Sequence, residues 1–507
     1  MKGDMTSTLV RNPARAPRPR YRGRFTFALL CLVIGLVAGC SHATQHSPPP
    51  APNAPSTAAK VVQVWLTTAD GNRKLFHSSP VTMTSHASAR GADHTVTVDD
   101  SRRYQQFWGV GASLTGASAQ LISGLSQAQR LHTLTSLFSR SDGIGLSVLR
   151  QPIGPNDFST GNGTYDDTSA GTADPGLQHF ALGPEAMSTL ALLRQVRQLN
   201  PAATVVASAW SGPAWMKSNG SVIGGTLKGE YYNVYAKYLA RAVQAYNAAG
   251  VSVAGITVQN EPSFSPAGYA GMTLSVDQQR ELIARHVRPA LTAAGLGQVG
   301  IWALDDNYDR IADAEQLVAD SAVRSAIAGV AFHCYHGDVS ALQGFHAKHP
   351  DVPLAISECS GGDWSPNFRD NLRYDVETLL IHGIGNGASW VSKWNAALDP
   401  SGGPANGGCT NCRGVISIDP HNGTVSYNEA YYAFGHLGKF VIPGAQVVSA
   451  TAAGNTGLET VALRNPDGSH VLLVFNSAAQ DGTFRVTDGV SSFAATLQAG
   501  SVATYTW

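Results

Sequence analysis

From about residue 104 the chain alternates short apolar runs with amphipathic stretches. The runs are QFWGVGA, LSVLRQPIG, TVVASAW, VAGITVQNEP, VGIWALDD, GVAFHCYH, VPLAISE and GASWVSKWN. Each reads as a buried strand. Between them, STLALLRQVRQLN repeats Leu190, Leu193, Val196 and Leu199 at near-helical spacing, and YYNVYAKYLARAVQAYNAAG is closed by Gly250 as a C-terminal stop. Eight such alternations over roughly 320 residues are what a (β/α)8 barrel requires. An open doubly wound sheet also alternates, but it usually carries a glycine-rich phosphate loop after its first strand. Here GVGAS has no P-loop lysine and continues as LTG rather than as a dinucleotide fingerprint.

At both ends of the chain the period changes to two. VVQVWLTTADGNRKLF alternates around an ADGN turn, and ETVALRNPDGSHVLLVFN forms two alternating runs across NPDGS, a hairpin signal. FRVTDGVSSFAATL and SVATYTW continue in kind. The expected fold is therefore α/β: a TIM barrel over residues 104–430 with an attached β-sandwich. The sandwich would be built from residues 61–103 and 431–507, so that the two ends of the sequence meet.

Composition adds size and location. A chain of 507 residues with 43 % apolar content can bury a large core. The net charge is zero, but the first 39 residues hold seven basic groups against Asp4, which leaves 28 basic and 34 acidic residues, a balance of −6. A mildly acidic body is a poor binder of nucleic acid or of an anionic membrane surface through its own charge.

After the basic start comes FTFALLCLVIGLVAG, too short to span a bilayer comfortably and suited to a signal-peptide core, so residues 1–39 are expected to be removed. The run ends at VAGC, Val37 to Cys40, which resembles the lipobox of bacterial lipoproteins. On that resemblance Cys40 is lipidated and supplies the only membrane contact. The alternative is an ordinary secretory signal with a chance cysteine, and either way the protein is exported. Residues 40–60, rich in Pro, Ala and Ser, read as a tether. Cys409 and Cys412 form a CTNC pair that in an exported protein suggests a small disulfide loop. A zinc site would want a second pair of ligands. Cys334 and Cys359 are expected to be buried as free thiols.

The strand ends carry the chemistry, because in such a barrel they face one shared pocket. The fourth run closes on Asn260 and Glu261, which Pro262 should hold extended. The seventh closes on Glu358. Two carboxyl groups facing each other at about 5–5.5 Å suit a retaining glycosidase, with one as nucleophile and the other as acid and then base. That chemistry needs no cofactor and no metal. His333 and His336 lie three apart on a strand and point to opposite faces, so they should not share a metal, and His333 is expected to hydrogen-bond in the pocket. Asp305 and Asp306 end the fifth run, either bordering the leaving-group side or simply solvated.

GVGASLTGASA, LRQPIGPNDFS, ASAWSGPAWMKSNG, TVQNEPSF, FHCYHGD, AISECSGG and KWNAALDPSGGP occur in that order. Together they make the chain, from about residue 62 to its end, resemble glycoside hydrolase family 30, on its glucosylceramidase-like branch. The resemblance implies the same barrel and sandwich, with Glu261 as acid/base and Glu358 as nucleophile. It implies that Asn260 donates to the substrate 2-hydroxyl, that Arg150 keeps Glu358 ionised, and that Tyr335 holds the same carboxylate. Asp157, Trp210 and Trp394 would bind the terminal sugar, with Asn395 as a further candidate. The implied substrate is a β-glucoside or β-glucan cleaved at a β-glucosyl bond, as in a glucosylceramidase. The alternatives are an endo-β-1,6-glucanase of the same family and a non-catalytic, lipid-anchored carbohydrate-binding protein, while a xylan-directed role fits the terminal-sugar residues less well.

Overall fold

Eight parallel strands close into a barrel in chain order: Gly109–Ala112, Val148–Ile153, Thr204–Ala209, Val253–Thr257, Gly300–Asn307, Gly329–His333, Leu354–Glu358 and Ala388–Lys393. Each of the eight apolar runs supplies one of them. The computed structural model describes residues 60–85, 92, 94–454 and 456–507. The expected signal segment, Cys40 and the tether as far as residue 59 lie outside the described residues. Among those described, no helix is long and apolar enough to cross a membrane.

The barrel is filled, not hollow. Val148, Val206, Trp302, Ala331, Ala355 and Trp390 form a buried cluster, and the two indoles meet edge to face at 5.4 Å. Their bulk needs a gap opposite: a Cβ on Gly329 would stand 2.5 Å from the Trp302 ring. With its interior packed, the barrel presents its chemistry at the C-terminal strand ends.

The period-two segments form a ten-stranded sheet in which Val61–Thr67 pairs antiparallel with Val502–Thr506, so the two ends of the sequence meet as expected. Phe484, Val486, Phe493 and Tyr505 pack against Val96, Val98 and Val474 in its core. The helix Glu429–Gly438 serves both bodies. Gly438 sits against Val110 of the first barrel strand. On the other side buried His436 bonds Thr67 Oγ1 and Thr504 Oγ1 at 2.8 Å each. Burial pushes that imidazole down to about 3, so it crosses the seam neutral.

Candidate active site

The fourth barrel strand ends at Thr257, and the chain turns before it reaches its chemistry. Glu261 is not extended, as Pro262 led us to expect, but left-handed at φ 44°. A non-glycine residue there costs about 1–3 kcal/mol and persists only where its surroundings insist. The Glu261 N–H donates to the Asp305 carbonyl at 2.9 Å, and its own carbonyl accepts from Phe264 N at 2.9 Å. These bonds set the carboxylate into the barrel mouth.

Glu358 stays on its strand and is reached from two sides. Arg150 Nη1 donates to Oε2 at 2.5 Å and the Tyr335 hydroxyl donates to Oε1 at 2.9 Å. Arg150 is fully buried. Its Nη2 also donates to Asn260 Oδ1 and Asp305 Oδ2, both at 2.7 Å, and its guanidinium lies over the Trp210 and Trp394 rings at 4.8 and 5.6 Å. His333 bridges Glu261 Oε1 and Asp305 Oδ1 at 3.1 Å each. Oxygens of the two glutamates lie within 4.8 Å of each other. An inverting pair stands about 6.5–9.5 Å apart to admit a water, so this separation suits direct attack.

Asp305 is the hub of this network, a correction to the expectation that it would border the leaving group or lie in solvent. Its carboxylate is fully buried and accepts from Arg150, His333, Ser208, Thr257 and Ser357. The cause is a bulge. Leu304 pairs with Ala331 and Asp306 with Phe332, so Asp305 is the unpaired extra residue, at φ 57°, and its side chain turns inward. Burial alone would raise this carboxyl, but Arg150 and the His333 and Ser357 hydrogen bonds hold it far below the usual carboxylate range. For His333, burial is overcome by the Glu358 charge and by the bonds to Asp305 and Glu261, which push it up to about 10. Burial raises the Glu358 carboxyl, and His333 and Arg150 offset that only in part.

The mouth is an open cleft of about 430 Å³, lined on one side by Asp157, Trp210 and Trp394. The two indoles stack at 5.0 Å, and Trp394 Nε1 donates to Asp157 Oδ2 at 3.2 Å. Asp157 Oδ1 is buried with no partner. Burial and the charge of Glu358 push this carboxyl up to about 8. A pair of sugar hydroxyls would satisfy it. Asn395 is not brought to the cleft: it is fully buried, its Oδ1 accepts from Thr115 Oγ1 at 2.7 Å, and its backbone is left-handed at φ 67°. Every other expected contact residue is at the site, with Arg150 and His333 beneath the floor rather than on it. Sequence reasoning missed the rim aromatics Phe264, Tyr269 and Trp364. The available signal was their position in loops directly after the strand-end glutamates.

The glycosyl hydrolase family 30 TIM-barrel domain matches residues 107–441, and that family's beta sandwich domain matches residues 444–505. This chain belongs to glycosyl hydrolase family 30. It is 33 % identical over 483 residues to the endo-1,6-beta-D-glucanase neg1 of Aspergillus fumigatus, covering 90 % of this chain and 94 % of that protein. The mouse lysosomal acid glucosylceramidase is 30 % identical over 447 residues, covering 83 % of this chain and 85 % of that protein. The structure of the endo-beta1,6-glucanase BT3312 superposes with a TM-score of 0.81 at 30 % identity, covering 88 % of this chain and 98 % of that one. The protein is a glycosidase.

Two disulfides border the cleft of this family 30 enzyme. Cys409–Cys412 closes the CTNC loop, both cysteines line the cleft, and Asn406 N donates to the Asp157 carbonyl at 2.7 Å. Cys334 and Cys359 are not the free thiols expected but a second bridge, Cα–Cα 5.3 Å. They follow His333 and Glu358, which are register partners at the ends of adjacent strands, a proximity that a spacing of 25 residues does not reveal. The bridge clamps the residues that flank the nucleophile, since Tyr335 and Ser360, its next neighbours, bond each other at 3.2 Å. Replacing both cysteines by serine should lower kcat roughly 10- to 100-fold through loss of alignment, with KM little changed. It should also cost roughly 3–4 kcal/mol in urea unfolding. An unaltered kcat would make the bridge purely structural.

Among the described residues, two groups could bring three ligand atoms within 4.8 Å: Glu261, His333 and Glu358, and Glu377, His382 and Glu459. In the first, His333 already engages Glu261, and Tyr335 and Arg150 hold Glu358. In the second, Glu377 pairs with Arg373 and His382 with Glu459.

Proposed function

We propose that this glycosidase is a retaining endo-β-1,6-glucanase that works by double displacement. The observation that carries the linkage is that relatives named endo-1,6-glucanases match it in sequence and in fold, and neg1 does so over more of the chain than the glucosylceramidase does. The short separation of the two glutamates supports retention.

Glu358 attacks the anomeric carbon while Glu261 gives its proton to the departing oxygen. In the second step Glu261 takes a proton from water, and that water displaces the Glu358 ester with the β configuration kept. Charge balance supports these roles. Arg150 and His333 as cations face Asp305 and Glu358 as anions, so the charges cancel in the state in which Glu261 acts as the acid. When Glu358 becomes an ester its charge is gone and Glu261 has become the anion, so the buried cluster is neutral in both states. Asn260, its Oδ1 fixed by Arg150, presents its amide N–H groups to the 2-hydroxyl.

A glucosylceramidase is the second reading, favoured by the mouse relative and by the terminal-sugar residues. We also propose export, as a secreted protein or as a surface lipoprotein anchored through Cys40. The two disulfides support an oxidising compartment. The substrate reading is tested by giving the purified protein β-1,6-glucan, glucosylceramide and β-1,4-xylan side by side. Short β-1,6-linked oligosaccharides released first as the β anomer are expected. Glucose from the lipid, with the glucan untouched, would replace this reading by the second.

A further inference from the structure

We infer that Lys217, which no step of the mechanism uses, is a positioning residue for the wall that carries Trp210 and Trp394. Its buried ammonium fastens the loop after the third barrel strand to the loop after the fourth, and so holds Trp210 where the terminal glucosyl unit lies. The inference rests on the reading of that wall as the terminal-sugar side, which is common to an endo-glucanase and a glucosylceramidase.

In the run ASAWSGPAWMKSNG, Lys217 stands seven residues beyond Trp210, directly after the short 3-10 turn Ala214–Met216. Among the described residues two lysines are buried, and they are housed differently. Lys393 is paired with Asp375 at 2.8 Å. Lys217 is 0 % exposed, and its Nζ donates to neutral groups only: Ser211 Oγ at 2.7 Å, the Gly271 carbonyl at 2.9 Å and the Val222 carbonyl at 3.4 Å. An ammonium has three donors and no acceptor, which matches these three oxygens. Burying it without a counter-charge is costly, and burial lowers Lys217 to about 7. A side chain needed only to fill space would avoid that cost as a methionine or a leucine.

Each of the three acceptors adjoins the wall. Ser211 follows Trp210 directly, and Gly271 follows Ala270, which is buried in one cluster with Trp210, Trp394 and Phe158. Val222 packs against the same cluster. Gly271 N also donates to the Val222 carbonyl at 3.0 Å, so backbone and ammonium close one junction between the two loops. Ser211 Oγ donates to the Gly212 carbonyl at 2.9 Å, which leaves its lone pairs for Lys217. A misplacement of about 1 Å in a positioning group can cost up to about 10²-fold. Opening this junction shifts Trp210 without touching Glu261 or Glu358, so the loss falls on binding.

Lys217 also lines an open depression of about 690 Å³ bordered by Trp215, Lys228 and Tyr231, which shares no lining residue with the catalytic cleft. Once the lysine is shortened, a small amine can therefore reach the place of its ammonium without crossing the sugar site.

The test measures KM and kcat on an aryl β-glucoside and on a β-1,6-gluco-oligosaccharide, with the wild type, Lys217→Met, Lys217→Ala, Ser211→Ala and Trp210→Ala. Lys217→Met keeps the bulk and loses the donors, so KM should rise about tenfold on both substrates while kcat stays within about threefold of wild type, the mark of lost uniform binding. In Lys217→Ala, added propylammonium replaces the missing atoms and should restore most of KM. Tetramethylammonium, which has the charge but no N–H, should not. If the lysine variants fail to fold, Ser211→Ala removes one acceptor and should still raise KM severalfold. An unchanged KM in folded Lys217→Met or in Ser211→Ala, a fall in kcat alone, or a rescue that does not distinguish the two cations overturns the positioning role. Trp210→Ala separates the two levels. An unchanged KM there removes the terminal-sugar reading of the wall and the lysine's role with it, whereas a raised KM beside unaffected lysine variants removes only the latter.

Discussion

Glu358→Ala should abolish turnover of every β-glucoside, by about 10⁵-fold or more, because the first covalent bond has nowhere to form. Glu261→Ala should behave differently. Loss of a general acid costs roughly 10²–10⁴-fold and matters most when the departing oxygen is poorly acidic. An aryl glucoside with a good leaving group should therefore still load Glu358 and then stall, since no base activates the water. Azide added to Glu261→Ala fills the space left by the carboxylate, needs no base, and should release a β-glucosyl azide with accelerated turnover. The burst of phenol, its dependence on azide and the configuration of the azide product are three separate readouts. If Glu358→Ala instead showed the burst and the azide response, the two roles would be exchanged. If neither variant lost more than tenfold, the chemistry would lie elsewhere.

The barrel was readable in the sequence because parallel strands buried on both faces are continuous apolar runs, and eight of them survive the noise of single positions. Glu358 was readable for the same reason, since a carboxylate that closes such a run faces the mouth, whereas Glu261 is carried there by the turn after Thr257. What stayed hidden depends on backbone detail below that resolution. VGIWALDD carries no mark of the bulge that turns Asp305 inward and leaves Asp306 on the cleft, and a shift of one residue in register exchanges the two faces. The left-handed turns at Glu261 and Asn395 are equally silent, and the second of them removes Asn395 from the pocket. The Cys334–Cys359 bridge follows from strand adjacency rather than from spacing. The substrate was hardest, because a site for one terminal sugar is compatible with both a glucosylceramidase and a β-1,6-glucanase. The loops that would distinguish them have no periodic pattern.

Asp305→Asn should be the most damaging substitution away from the two glutamates, although Asp305 lies beneath the cleft. In the native site Oδ1 accepts from His333 and Ser357, and Oδ2 accepts from Arg150, Ser208 and Thr257. An amide keeps one acceptor and turns its N–H₂ toward donors on the other side. Breaking one partner of a buried charged set costs about 3–5 kcal/mol, which chemical unfolding will measure. Activity should fall roughly 10²- to 10³-fold as Arg150 and Glu358 lose their alignment.

The pH dependence identifies the electrostatic part. His333 is raised from its model-compound value of 6.5 to about 10. The stability that its cation contributes is therefore fully present below about 6.5 and is lost as pH climbs through about 10. Wild type should lose melting temperature across that interval. Without the Asp305 charge and the hydrogen bond it accepts, His333 loses part of what raises it, so it gives up its proton at lower pH. In Asp305→Asn the alkaline fall in stability should then shrink and begin earlier. Ser357→Ala, which removes a single donor to Asp305 but leaves its charge, should by contrast keep His333 charged to the same or a higher pH. An alkaline profile identical to wild type in Asp305→Asn would mean that Asp305 holds Arg150 without setting the charge of His333.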